Sequence, residues 1–241
     1  MSQNLAPICR LNEQGLTALV GQDAVALLQR RLRGGASGHK GVRYEQLFGT
    51  HRIARLIRKL VDTGDDAVVE WQSKGFVDDF VVRRDGIRSF KGYQLKDAEA
   101  VSWTAGNQSI ESDFALQHAV CQAEGYDDVR LRLVCSRAPL IPQLEASVPA
   151  RIAPYAKSFF FPHGPTLLPI MMGYDWMTDD FAYLSRNDHP TRIEVSQVAG
   201  VLMGAWDFEA PTALVSAVMG RARDMSPTLL RTLQSDEAAA A

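Results

Sequence analysis

The chain has 241 residues, enough for one large domain or for one domain with a substantial extension. With 46% apolar and 22% charged residues it can bury a core, and neither figure belongs to a disordered chain or a membrane-embedded one. A net charge of −2 gives no overall attraction to nucleic acid, so any such affinity must come from local clustering.

No apolar stretch approaches the ~20 residues of a membrane helix, and the opening residues lack a basic–apolar–small targeting pattern. Three cysteines, Cys9, Cys121 and Cys135, are an odd number without CxxC spacing, which fits a reducing compartment and argues against both a disulfide frame and a cysteine-rich zinc site. The expectation is a soluble cytoplasmic protein with no membrane partner. The five histidines show no zinc-binding spacing, and Gly34 to Lys40 lacks the spacing of a Walker phosphate loop.

In chain order, residues 15–32 carry apolar positions at helical steps, and Gly34, Gly35, Gly38 and Gly41 then interrupt the pattern. A second helix is expected over 42–61, with Tyr44, Leu47, Phe48, Leu56, Ile57 and Leu60 as its stripe and Glu45 at the edge. Residues 30–59 hold nine basic side chains and one acid, a local excess of +8. Such a run is either a solvated helix face or a footprint for phosphate. For the second use Lys40, Arg43, Arg52 and Arg55 are the candidates.

Strands are expected at 67–72, 76–82 and 90–96, the last two joined at Asp85-Gly86 as a hairpin. A helix over 109–124 and an alternating strand over 129–136 complete the order helix, three strands, helix, strand. Prolines from 139 to 154 mark the end of this unit. Beyond it, helices are expected at 193–206, 211–223 and 227–233, the last from Ser226 as cap and Pro227 behind it.

The chemistry-bearing residues lie in Phe76-Val77-Asp78-Asp79-Phe80-Val81-Val82 and Gly92-Tyr93-Gln94-Leu95-Lys96. Side chains alternate along a strand, so Gln94 and Lys96 share a face, and Asp79 shares one with Val81 opposite to Asp78. Two acids in an apolar strand are costly to bury without a cation or partner. A hairpin brings an acid, an amide oxygen and an ammonium together. Hard oxygen ligands suit Mg²⁺, which polarises a phosphate and lowers the pKa of bound water, and an adjacent lysine stabilises charge growing on phosphate oxygens. An Asp-Asp at a strand start or a lysine at a strand end, taken singly, is an ordinary solvated feature.

Gly34-Gly35, Gly41-Val42-Arg43-Tyr44-Glu45, Asp78-Asp79-Phe80-Val81-Val82 and Tyr93-Gln94-Leu95-Lys96 together resemble the PD-(D/E)xK nucleases. The similarity is closer to the QxK branch, the double-stranded-DNA nuclease domain that serves as effector in CBASS-type and related bacterial antiphage systems. Trp103-Thr104 and Asp113-Phe114 match that branch's turn and following helix, and the resemblance covers about 34–136. It implies an α/β fold with a restriction-endonuclease-like core in a nuclease domain over 34–150, preceded by an N-terminal helical extension over 1–33. The partly helical region over 151–241 holds Phe159-Phe160-Phe161, Trp176 and Trp206 without a catalytic set, and is expected to serve oligomerisation or docking.

By the same resemblance Asp79 binds the metal, Gln94 is the second ligand, Lys96 is the catalytic lysine, Glu45 is the helix acid and Asp78 the alternative to Asp79. The implied cofactor is Mg²⁺ (or Mn²⁺). The implied partners are double-stranded DNA, further copies of the chain, and a separate sensor or ATPase subunit that restrains the enzyme. Two alternatives stay open: a catalytically silent DNA-binding or scaffolding subunit, and an RNase on the same core.

Overall fold

The computed structural model describes residues 11–34, 39–106, 108–206 and 212–231. Cys9, Gly35, Gly38 and the alanine tail lie outside them, as does the side chain of Lys40. No described helix is long and apolar enough to cross a membrane.

The protein is α/β. In chain order come helices α1 (Glu13–Val20), α2 (Gln22–Gly34) and α3 (His39–Thr63), then strands β1 (Val68–Trp71), β2 (Phe80–Arg84) and β3 (Ser89–Lys96). Helix α4 (Ile110–Ala123), strand β4 (Asp128–Cys135), helix α5 (Leu140–Ala146) and strand β5 (Ala156–Phe160) follow. The chain continues with α6 (Leu167–Gly173), α7 (Asp175–Leu184), α8 (Arg192–Ala205), β6 (Thr212–Leu214) and α9 (Val215–Met225). The described strands form one mixed sheet in the order β5-β4-β3-β2-β1-β6. Strands β2 and β3 are antiparallel, whereas β3, β4 and β5 run parallel.

Two compact units divide the described residues: those of Met1–Glu45 with Glu70–Pro162, and those of Gln46–Val69 with His163–Ala241. Helix α3 and strand β1 each contribute to both.

In the first unit the alternation of β4 is as the sequence implies. Val129, Leu131, Leu133 and Cys135 turn inward, where they join Val77, Val81, Phe90 and the α4 residues Phe114 and Cys121 in one core. Ser109 caps α4 by accepting the amide of Ser112 at 3.1 Å. Trp103 packs edge-on to Phe114, with ring centroids 5.6 Å apart, and donates its indole N–H to the carbonyl of Leu144 at 2.9 Å. The N-terminal helices add a smaller cluster of Leu16, Val25 and Leu28 with Phe76 and Val120. They are two helices rather than one, because Gly21 sits at φ +86°, and its N–H closes the first helix on the carbonyl of Thr17.

The second strand starts later than its apolar pattern suggests. Phe76 and Val77 are not in the ladder; the buried Gln117 of α4 takes both backbone N–H groups on its Oε1, at 2.8 and 3.3 Å. Asp78 and Asp79 therefore stand just before β2, in a segment tied back by Ser73 N–H to Asp78 O at 2.7 Å and Gln72 N–H to Asp79 O at 3.3 Å. Replacing Gln117 with leucine strands two buried donors, so an expected loss of about 1–3 kcal/mol should appear in urea unfolding. An unchanged midpoint would show that the loop holds itself.

The connection after β2 also differs from a two-residue hairpin. Arg84 pairs with Ser89, and the intervening residues make a single 3₁₀ turn at Asp85–Ile87 with the left-handed position at Arg88 rather than Gly86. Asp85 is held there by the Tyr126 hydroxyl at 3.2 Å and by Arg83 at 3.7 Å.

The second unit is richer in helix than its sequence texture suggests. Met177, Phe181 and Leu184 of α7, Val195, Val198 and Leu202 of α8, and Val215, Val218 and Met219 of α9 are all buried. A Thr191/Glu194 capping box starts α8. The expected 211–223 helix is a short strand followed by α9, and Pro211 lies outside the described residues. The helix expected from Pro227 onward is a turn instead. Leu230 bridges to Ser185, and Arg231 N–H reaches the carbonyl of Leu184 at 3.0 Å, so a long-range pairing overrides the local capping signal. Of the aromatic residues expected to mark a docking surface, Phe161 and Trp206 are interior, and Trp176 is 44% exposed.

Candidate functional site

Strand register builds the site. Phe80 pairs with Tyr93 and Val81 with Gly92, which carries Asp79 alongside Gln94 on the face of Val81. Asp79 Oδ2 accepts from Gln94 Nε2 and from the backbone N–H of Leu95, both at 2.6 Å. Lys96 follows two residues after Gln94 and so lies on the same face. Its carbonyl takes Ser136 N–H at 3.2 Å, and Ser136 Oγ donates to Asp97 at 2.6 Å, which ties the ends of β3 and β4 together beside the site.

Glu45 comes from the first turns of α3. That turn is anchored by the neighbouring Tyr44, a buried ring whose hydroxyl donates to the carbonyl of Phe161 at 2.9 Å. Burial, with Cys135 and Asp97 nearby, keeps the Tyr44 hydroxyl protonated far above its ordinary range. The Glu45 carboxylate is aimed by Trp71 and Gln72 at the end of β1. Its Oε2 accepts the indole N–H at 2.8 Å and the Gln72 amide at 3.4 Å. These two positioning residues were not evident from the sequence. Their only signal was a polar-capable Trp-Gln pair closing an apolar strand.

Asp79 records the electrostatics of this assembly. Burial, and then the negative charges of Asp78 and Glu45, push its carboxyl up to about 8 from an ordinary 3.8, against the opposing pull of Lys96 and the Leu95 N–H. A site that crowds carboxylates until one holds its proton near neutral pH is relieved by a cation. The donors fit a hard one: Asp79, the oxygen end of a Gln94 amide whose nitrogen is spent on Asp79, and Glu45. Among the described residues no three His, Cys, Asp or Glu side chains converge to hold an ion unaided. Magnesium, which keeps several waters, needs only one or two carboxylates from the protein.

Asp78 is half-buried, and its influence here is exerted on the charge state of Asp79. Glu70 of β1 is 6% exposed, and β1 is an inner strand.

The basic run divides. Arg43 is exposed in the first unit, whereas Arg52, half-buried, and Arg55, exposed, belong to the second. Also in the second unit, Arg58 meets Asp180 at 3.4 Å and covers the Tyr183 ring at 4.8 Å, and Lys59 meets Asp65 at 3.1 Å. Part of the run is thus committed to structure. Buried His51 lies 3.8 Å from Asp180 and edge-on to Trp176, and its burial beside Arg52 and Arg55 lowers its pKa to about 3, so it is neutral.

Comparison with protein-family models, with curated proteins and with solved structures finds no match to this chain.

Proposed function

We propose that this protein is a divalent-cation-dependent endonuclease acting on double-stranded DNA, with a restriction-endonuclease-like core formed by α3, β1, β2, β3, α4 and β4. The observation that carries the reading is the contact of Asp79 with Gln94 across β2–β3. Lys96 shares their face, and Asp79 is driven up in pKa by Asp78 and Glu45. The element order and the antiparallel-then-parallel pairing of β2, β3 and β4 support the core.

Asp79, Gln94 and Glu45 would hold Mg²⁺ or Mn²⁺, which when bound polarises the scissile phosphate and acidifies a water. The chain's own residues do the rest. Asp79 would serve as a ligand in its carboxylate form. Trp71 and Gln72 fix Glu45, Gln94 orients Asp79, and the Lys96 ammonium stabilises negative charge developing on the phosphate oxygens. Arg43, with Lys40, Arg52 and Arg55, is proposed to contact phosphates. In a cell such an enzyme needs restraint, and the role proposed for it is that of an antiphage effector held by a sensor or ATPase subunit or by self-assembly.

The test is incubation of the purified chain with plasmid, linear duplex and RNA, in Mg²⁺, Mn²⁺ or EDTA. Nicking or cutting of DNA that EDTA abolishes is expected. Cleavage that persists in EDTA overturns the mechanism, cleavage of RNA alone moves the substrate, and inertness with every metal leaves a DNA-binding scaffold.

A further inference from the structure

Within the second unit, helices α6, α7 and α8 enclose a pocket of about 170 Å³. Each helix gives it one face: Leu168 and Met171 from α6, Asp175 and Ala182 from α7, Arg192 and Val195 from α8. The floor is apolar, with Met171 and Val195 only 2% and 5% exposed. The mouth is open to solvent, where Leu168, Asp175 and Arg192 are all exposed. No aromatic ring is among its described lining residues.

Two charges of opposite sign line this pocket without partners. Among the described residues, neither the Asp175 carboxylate nor the Arg192 guanidinium has an ion pair or a side-chain hydrogen bond, with each other or with a third group. Helix α8 itself gives no reason for Arg192. The residue stands in the first turn, at the positive end of the helix dipole, where a cation is disfavoured, and the Thr191/Glu194 capping box already satisfies that end. An anionic group arriving in the pocket removes the mismatch, and Asp175 on the neighbouring helix supplies the counterpart for a cationic one. Volume sets the scale. An apolar cavity of ~150 Å³ takes a benzene-sized body, whereas pockets for drug-sized ligands run to roughly 300–1,000 Å³. A nucleotide is too large for this space; one aliphatic side chain with both charges at its outer end fits it.

We infer that the α6–α7–α8 pocket binds a free α-amino acid with an aliphatic side chain. Its carboxylate meets Arg192, its ammonium meets Asp175, and its side chain lies against Met171, Ala182 and Val195. An apolar side chain inserted by a partner protein would fill the same space but bring neither charge at its α-carbon, leaving Asp175 and Arg192 as they were. The inference does not rest on the nuclease reading, because no residue of the Asp79–Gln94 site lines the pocket. Occupancy would tie α6, α7 and α8 together, so the stability of the second unit would follow the supply of the amino acid.

The test needs neither DNA nor metal. Isothermal titration calorimetry of the full chain in EDTA, with L-leucine, L-isoleucine, L-valine and L-methionine as probes, is expected to show saturable binding of at least one, with a Kd of roughly 1 mM or tighter. The same amino acid should raise the melting temperature. For leucine, the analogues 4-methylpentanoate (no ammonium), leucinamide (no carboxylate) and L-serine (no apolar body) should each bind at least ~10-fold more weakly. Arg192→Gln should weaken leucine ~10–100-fold and bring it level with leucinamide, and Asp175→Asn should bring it level with 4-methylpentanoate. Both side chains are exposed, and circular dichroism confirms that the variants fold. Ala182→Leu should fill the pocket and abolish binding, whereas Arg186→Gln, a like loss of charge at an exposed residue that does not line it, should change nothing. Absence of saturable binding by all four amino acids overturns the inference, as does leucinamide or serine bound as tightly as leucine by wild type. A wild-type oligomer that binds no amino acid and that Ala182→Leu dissociates would give the pocket to a second copy of the chain and overturn it too.

Discussion

Lys96→Ala is expected to lower metal-dependent DNA cleavage by ~10²–10³-fold, the usual cost of removing one group that stabilises developing charge. The side chain is half-buried on the face of Gln94, and its charge acts on Asp79 without being a ligand in the proposed site. Folding and duplex affinity should stay near wild type, because the backbone of β3 keeps its pairing and one cation among many contacts is lost. Single-turnover cleavage at saturating Mg²⁺ measures the effect, with circular dichroism and anisotropy as controls. Wild-type rates in folded Lys96→Ala would end the catalytic assignment. Asp78→Ala should be milder, since Asp78 acts by raising Asp79; a larger defect there than in Asp79→Ala would mean that the two acids exchange roles.

Asp79→Asn should abolish cleavage and also stabilise the apoprotein. Asparagine keeps an oxygen that can accept from Gln94 Nε2 and Leu95 N–H but carries no charge to bury beside Asp78 and Glu45. The sign follows from the raised carboxyl. Below pH 4 Asp79 is protonated folded and unfolded alike, and wild type and variant differ little. As pH climbs from about 4 toward 8, the unfolded carboxyl ionises freely while the folded one resists, so wild type loses stability that the variant retains. At pH 7 the gap is expected to approach about 4 kcal/mol, from roughly 1.4 kcal/mol for each of the about three pH units over which the unfolded carboxyl is ionised and the folded one stays protonated. Urea unfolding in EDTA at pH 5 and pH 7.5 reads the gap, and added Mg²⁺ should then raise wild type alone. A variant that is less stable than wild type at pH 7.5 would contradict the crowded-carboxylate account.

How much of this was legible in the sequence depends on whether a residue's partner is local. The alternation in β4, the helix α4 and the shared face of Gln94 and Lys96 are local patterns, and the structure has all of them. The start of β2 was misplaced because Gln117, forty residues away, supplies the hydrogen bonds that a strand would have needed at Phe76 and Val77. Strand β5 went unread because Pro154 and Pro162 flank it and Lys157 interrupts its apolar run; its parallel pairing with β4 is a long-range choice. The site residues were named from their pattern. The aiming of Glu45 by Trp71 depends on helix and strand meeting, which no spacing encodes.

The bond from Tyr44 to the carbonyl of Phe161 spans 117 positions in the chain, and it fixes when the site can be completed during synthesis. A ribosome adding ~5–20 residues per second reaches β5 several seconds after Glu45 has emerged. Until then the turn that presents Glu45 lacks its anchor, although Asp79, Gln94 and Lys96 have already been made. A nascent or prematurely terminated chain ending at Ala150 lacks β5 altogether, and with it the carbonyl of Phe161 that anchors the turn presenting Glu45.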